Sequence, residues 1–197
     1  MIKRLFDIVF SFFSILILSP VLIVISIIVL ITSKGGSFYR QVRVGKKEKE
    51  FILYKFRSMR IGADKSGPLT IGMRDNRITK IGHFLRKYKL DELPQLFNVL
   101  IGNMSIVGPR PEVPHYVALY DTEQKKVLQV KPGLTDYASI VYSEENKLLE
   151  SSATPEETYI KKIMPAKLKL NMRYINEMGL VTDMKIIFKT IGKILRH

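Results

Sequence analysis

Two adjacent carboxylates, Asp91 and Glu92, stand in a stretch with cations on either side: Lys55 and Arg57 in YKFRSM, Arg86 five residues ahead, and Arg110 between two prolines in Gly108-Pro109-Arg110-Pro111. A carboxylate at a helix N-terminus among arginines is expected to have a lowered pKa and to stay ionised, as a metal ligand or a nucleophile must. Flanking prolines leave Arg110 little freedom to lose on clamping a phosphate oxygen, and the guanidinium fork suits that task. A plainer account competes at each point. Asp91-Glu92 also reads as a helix cap with a dipole-favoured acid, and GPRP as a rigid turn.

Other chemistries are closed off by composition. The 197 residues include no Cys and three His (His83, His115, His197), which excludes disulfide scaffolds, zinc fingers, iron–sulfur proteins and cysteine nucleophiles. Any metal is then a hard cation on carboxylates and phosphates, Mg²⁺ first. No glycine-rich nucleotide loop, nucleophile elbow or H-E-x-x-H pair occurs. With 46% hydrophobic residues the chain should fold around one core rather than remain disordered.

The net charge of +14 is unevenly placed. Residues 34–90 hold 16 Lys or Arg against 4 Asp or Glu, residues 112–157 hold 4 against 9, and residues 158–197 hold 9 against 2. A basic block ahead of residue 91 attracts nucleic acid, anionic lipid or a phosphorylated substrate, and composition does not choose among them.

The elements that must position these groups follow from periodicity. SFYRQVRVGKKEKEFILYKFRSM alternates basic with apolar residues around Gly45-Lys46-Lys47, which predicts a β-hairpin with a basic face. Residues 62–75 read as a polar loop. Ile78, Ile81, Leu85 and Tyr88 form one stripe of an amphipathic helix, with Arg77, Lys80, Arg86 and Lys87 around it. In DELPQLFNVLIGNM, Asp91 suits an N-cap, Leu93, Leu96, Phe97 and Leu100 a buried face, and Gly102 a helix end. SIVGPRPEVP cannot be helical before Val113, and Thr154-Pro155-Glu156-Glu157 is a capping-box helix start. The last helix sets Met184, Ile187, Phe188, Ile191, Ile194 and Leu195 against Lys185, Lys189, Lys193 and Arg196, a pattern that suits a domain edge or a helix in the headgroup plane.

Ahead of all this, residues 8–31 form an uncharged apolar run of 24 residues, long enough to span a bilayer. It is longer than a signal-peptide h-region and has no A-x-A-like site after it. Lys3 and Arg4 flank one end and Lys34, Arg40 and Arg43 the other, so the positive-inside rule draws both ends to the cytoplasm. Ser19-Pro20 lies at the midpoint, where proline lacks an N–H and its ring crowds the Leu16 carbonyl. The expectation is a helix–break–helix that dips into one leaflet and returns, with a membrane segment over 1–33 and a cytoplasmic domain over 34–197. The fold class expected is α+β, mostly α, with a short β-hairpin and amphipathic interfacial helices.

The run LDELPQLFNVLIGNMSIVGPRPEVPHY, with RQVRVG and YKFRSM upstream, KPGLTD downstream and a TDMKIIFKT helix at the end, resembles the bacterial sugar transferases that are monotopic polyprenyl-phosphate phosphoglycosyl transferases. The resemblance implies a re-entrant helix broken at Ser19-Pro20 and a site at the cytoplasmic face of the bacterial inner membrane. It implies that Asp91 attacks the β-phosphate of a UDP-sugar, that UMP leaves, and that polyprenyl phosphate takes the sugar phosphate from the aspartyl enzyme. Mg²⁺ is the implied cofactor, held by Asp91 and Glu92. Lys55, Arg57, Arg86 and Arg110 would offset phosphate charge. Asp183 matches a further family acid, and a helix N-terminal charge accounts for it equally well.

Implied partners are the UDP-sugar, polyprenyl phosphate and anionic membrane lipid, with a second copy of the chain a further candidate and nucleic acid excluded. The implied role is initiation of capsule, exopolysaccharide, O-antigen or glycan assembly. Many relatives read Pro-Gly-Ile-Thr-Gly where this chain has Pro132-Gly133-Leu134-Thr135-Asp136 and then YSEENKLLE, so no nucleotide or sugar contact is carried over there. Two other classes compete: a membrane-tethered module that binds nucleic acid or acidic lipid, and a membrane phosphatase using the same carboxylates.

Overall fold

An apolar run satisfies its backbone in lipid only by closing every hydrogen bond within itself, and residues Ile2–Thr32 do so as one long helix, α1. A computed structural model describes residues 2–67, 69–72 and 75–195, so Arg196 and parts of the 62–75 loop lie outside the described residues. Contrary to the expected break, α1 continues through Pro20. Proline there removes one donor, and the Ser19 hydroxyl donates to the Leu16 carbonyl at 2.8 Å in its place, which spares the helix an unsatisfied acceptor.

Both ends of α1 are fastened to the rest of the chain. At its start Arg4 donates to the carbonyls of Val99 and Leu100 at 2.6 and 2.8 Å. Asp7 accepts from the Ser105 hydroxyl and the Ile106 N–H at 3.0 and 2.9 Å. Toward its other end Leu22, Ile25 and Val29 are buried with Phe56 and Leu85, and Ser37 donates to the Ser26 carbonyl at 2.7 Å. The opposite face, including Leu5, Phe12, Leu16, Ile17, Ile23, Leu30 and Ile31, is exposed and apolar.

The predicted hairpin is present. β1 (Phe38–Val44) pairs antiparallel with β2 (Glu50–Phe56), from Phe38 opposite Phe56 to Val44 opposite Glu50. Lys47 and Glu48 adopt positive φ in the turn. α2 (Lys80–Lys87) starts where Thr79 caps the Gly82 N–H at 3.0 Å, and it buries Leu85 with Ile78 just ahead of it. α3 (Gln95–Ile101) ends at Gly102 in the left-handed conformation, as read. Its buried residues are Gln95, Leu96, Asn98 and Val99, whereas Phe97 is exposed. The face is rotated from the expected one because Asn98 turns inward, accepting from Tyr54 N–H at 3.0 Å and donating to the Ile52 carbonyl at 2.7 Å.

A second, parallel pair joins β3 (Ser105–Val107) to β4 (Gly133–Thr135). The two segments touch at Gly108 and Gly133, where a Cβ on Gly133 would stand 2.1 Å from the Gly108 nitrogen. Short helices α4 (Pro114–Val117), α5 (Tyr137–Val141), α6 (Glu145–Glu150) and α7 (Pro155–Thr158) lead to the longer α8 (Met164–Asn176) and α9 (Leu180–Leu195). Thr154 precedes α7 with Pro155 as its first residue, but makes no side-chain capping bond. In α9 the core takes Asp183, Ile186 and Ile187, while Phe188, Ile191 and Ile194 are exposed, Phe188 at 65%. The anticipated apolar side is therefore divided, with Ile187 and Met184 packed inward and Phe188, Ile191 and Ile194 facing outward. The fold is mostly helical α+β around three apolar clusters, with one long apolar N-terminal helix.

Candidate active site

Three elements meet at the carboxylate pair. Lys89, in the left-handed conformation, turns the chain out of α2 into a single 3₁₀ turn, Leu90–Glu92. β2 brings Lys55, and its distance to that turn is set by the Asn98 bonds that dock α3 on β2. The loop after β3 brings Arg110, fixed by Gly108 N–H to Thr135 O at 3.0 Å, Gly133 N–H to Pro109 O at 2.9 Å, and Arg110 N–H to the Asp136 carboxylate at 3.3 Å. Asp136, fully buried, also caps α5 through the Ser139 N–H at 2.6 Å.

The two carboxylates have different surroundings. Glu92 accepts a two-pronged fork from Arg110, one prong at 3.1 Å, and a bond from Lys55 Nζ at 3.2 Å. Asp91, 6% exposed, receives no hydrogen bond on its side chain among the described residues. Asp91 does not cap α3 either, since Pro94 occupies that position and no side chain caps the helix.

Electrostatics separate them further. Burial works to raise the Glu92 pKa, but Arg110 and Lys55 together outweigh it and hold the carboxyl well below its ordinary range. Asp91 moves the opposite way. Burial first and the neighbouring Glu92 anion second push it up, against the weaker pull of Lys55, Arg86 and Lys89. The expected lowering at Asp91 is thus found at Glu92, because both close cations spend their bonds there. An Asp91 anion, poorly compensated, loses little when it gives electrons to an electrophile. Glu92 is a fixed charge that holds Arg110 and Lys55 in place.

The structure brings Asp91, Glu92, Lys55 and Arg110 together, with Arg86 within electrostatic reach of Asp91. Arg57 is elsewhere, donating to the carbonyls of Gly36 and Phe38 at 3.1 Å each and lying over the Tyr39 ring. Asp183 is buried between Lys3 and Tyr174, accepting from the Tyr174 hydroxyl at 2.8 Å, which makes it a tie between α1, α8 and α9. Sequence reasoning passed over Arg43 as a site residue. Its charge is felt at Lys55, and those of Arg110 and Glu92 at Arg43. Its signals were its place in the alternating basic strand and in the RQVRVG motif.

Among the described residues no group of three or more metal-ligating side chains occurs. Magnesium commonly takes one or two carboxylates and completes its shell with substrate phosphates and water. The unbonded Asp91 carboxylate fits that use, whereas both Glu92 oxygens are already engaged by Arg110 and Lys55.

The family model described as bacterial sugar transferase matches residues 1–197. A UDP-glucose:undecaprenyl-phosphate glucose-1-phosphate transferase from Klebsiella pneumoniae is 39% identical over 194 residues, covering 97% of this chain and 39% of the relative. A putative undecaprenyl-phosphate N-acetylgalactosaminyl 1-phosphate transferase from Bacillus subtilis (strain 168) is 48% identical over 122 residues, covering 62% of this chain and 68% of the relative. A UDP-N-acetylgalactosamine-undecaprenyl-phosphate N-acetylgalactosaminephosphotransferase from Aeromonas hydrophila is 35% identical over 197 residues, covering 98% and 44%. The chain thus spans less than half the length of the Klebsiella and Aeromonas relatives. By the match along its whole length, the chain belongs to the bacterial sugar transferase family.

Proposed function

We propose that the protein is a phosphoglycosyl transferase that moves a sugar 1-phosphate from a UDP-sugar to polyprenyl phosphate, beginning the assembly of a bacterial capsule, exopolysaccharide, O-antigen or other surface glycan. The observation that carries the reading is the division of labour at the pair: a buried Asp91 carboxylate with no hydrogen-bond partner among the described residues, beside a Glu92 that holds Arg110 and Lys55. In the first half-reaction an Asp91 oxygen bonds to the sugar-linked phosphorus, the bridging P–O bond breaks, and UMP leaves with the electron pair. In the second, the phosphate oxygen of polyprenyl phosphate bonds to the same phosphorus and releases the Asp91 carboxylate. Arg110 and Lys55 offset charge as it shifts among the phosphate oxygens, and Arg86 acts at longer range. Mg²⁺, with Asp91 as its protein ligand, would add charge neutralisation on the diphosphate.

A two-step route can exchange UMP with no acceptor present. Protein in nanodiscs, given UDP-sugar and labelled UMP but no polyprenyl phosphate, is expected to return label to the UDP-sugar pool. Overall transfer without that exchange would exclude the covalent step, and sugar phosphate appearing in water would favour the hydrolase class instead.

The same reading lays α1 along the cytoplasmic leaflet of the inner membrane, with both of its ends on one face. It rests on the anchorage of both ends to one domain, through Arg4 and Asp7 at the start and Val29 and Ser26 further on, together with the exposed apolar face between. A single crossing would carry part of that domain through the bilayer. The exposed Phe188, Ile191 and Ile194 of α9 support contact with lipid, whose anionic headgroups complement the Lys/Arg excess. Single cysteines introduced at residues 2 and 36 should both stay unlabelled by an impermeant maleimide added outside intact cells. Labelling of either one alone would establish a crossing.

A further inference from the structure

We infer that Arg43, Glu112 and Tyr159 are positioning residues that aim Arg110 at the reacting phosphate, an assignment that rests on the function proposed above. The loop that presents Arg110 has prolines at 109 and 111 and no regular structure until α4, so something outside it must fix its direction. Its far side is tied to β1. The Val44 N–H donates to the Glu112 carbonyl at 2.9 Å, and Arg43 Nη1 donates to the Pro111 carbonyl at 3.0 Å and to the Glu112 carboxylate at 3.1 Å. That carboxylate also accepts from the Val113 N–H at 2.8 Å and, on its other oxygen, from the Tyr159 hydroxyl. Glu112 therefore gathers donors from β1, from its own loop and from the segment ahead of α8.

Tyr159 opens a single π-helical turn, Tyr159–Ile163, and is almost fully buried there. Such single turns are rare and frequently lie at functional sites. Here the turn carries the Tyr159 hydroxyl that bonds Glu112.

The charges explain why the arrangement matters to Arg110. Arg43 and Arg110 are like charges close enough for Arg110 to weaken the proton affinity of Arg43, and Glu92 attracts both. Each arginine has its own anion, Glu112 for Arg43 and Glu92 for Arg110. Neutralising Glu112 leaves Arg43 to compete for Glu92, and the Arg110 fork is drawn off its line. Tyr159 acts one step further back, since its hydroxyl holds the Glu112 oxygen not used by Arg43.

The test uses the full chain in nanodiscs with UDP-sugar, read as UMP released per enzyme in a first turnover and as KM in the steady state. Tyr159→Phe is expected to raise KM for the UDP-sugar about tenfold, the order set by a lost hydrogen bond to a charged group. Glu112→Gln should raise it at least as much, and the double variant no more than Glu112→Gln alone. In all three the UMP burst should remain stoichiometric. Lys161→Ala, on the same turn but exposed, should match the unaltered protein. A burst that shrinks while KM stays fixed would mean that these residues only hold the fold, and unchanged KM in Tyr159→Phe would overturn the assignment even if Glu112→Gln failed to fold. Absence of any burst in the unaltered protein would instead count against the proposed function.

Discussion

Asp91→Asn is expected to lower UMP release by about a thousandfold or more, because the amide replaces the carboxylate proposed to attack phosphorus. Its thermal unfolding midpoint should be unchanged or slightly higher. Burial and the Glu92 anion both disfavour the Asp91 charge, and a neutral isostere relieves them. Lost activity with retained or improved stability is the signature of a group kept for chemistry at a cost to the fold. Substantial turnover in Asp91→Asn, measured as UMP formed per enzyme, would sink the aspartyl mechanism. Glu92→Gln should behave differently. It removes the partner of Arg110 and Lys55, so the midpoint should fall along with activity.

Arg110→Ala should be the most damaging of the cation replacements for both properties. It strips the fork from a Glu92 whose side chain is only 14% exposed and leaves Lys55 as its one remaining hydrogen-bond partner among the described residues. Breaking one partner of a buried pair typically costs about 3–5 kcal/mol, and with the Arg110 side chain 31% exposed the lower end applies. About 3 kcal/mol corresponds to a midpoint lowered by roughly 6–12 °C in a chain of this size, readable by thermal denaturation in detergent. Turnover should fall by about a hundredfold or more from loss of the proposed phosphate clamp alone. Arg110→Lys should recover some of the stability but little of the activity, since an ammonium cannot form the fork. If Arg110→Ala kept both its midpoint and its turnover, the clamp would be misassigned.

Much of the framework could be read from local pattern. The basic alternation on either side of Gly45-Lys46-Lys47 gives the hairpin, because a period of two suits only a strand. The left-handed end of α3 at Gly102 and the non-helical run through GPRP follow from glycine and proline alone. Faces were read less well. Phe97 in α3 looks like a core residue on a helical wheel, yet it is exposed, while Asn98 and Asp183 point inward. An inward Asn or Asp becomes affordable only when particular partners meet it, here the Ile52 carbonyl and Tyr54 N–H for Asn98, and Lys3 with Tyr174 for Asp183. Those partners are distant in sequence, so no window around the residue contains the signal. The failed break at Pro20 has a local cause instead, the Ser19 hydroxyl covering the carbonyl that proline leaves free.

The sequence by itself determined the family, the apolar N-terminal helix, the exclusion of cysteine and histidine-cluster chemistry, and the two acids among cations on which the proposed chemistry centres. These depend on residue identity and short spacing, which the chain carries openly. Tertiary structure alone decided which acid is free and which is fixed. Asp91 and Glu92 are neighbours with the same cations in reach, and the choice is made by where β2 and the loop after β3 deliver Lys55 and Arg110. It also moved Arg57 and Asp183 to structural ties and brought in Arg43 and Glu112. A pKa or a hydrogen bond belongs to an arrangement in space, and residues 37 and 18 positions away from Glu92 in the chain acquire their meaning only when the fold has closed.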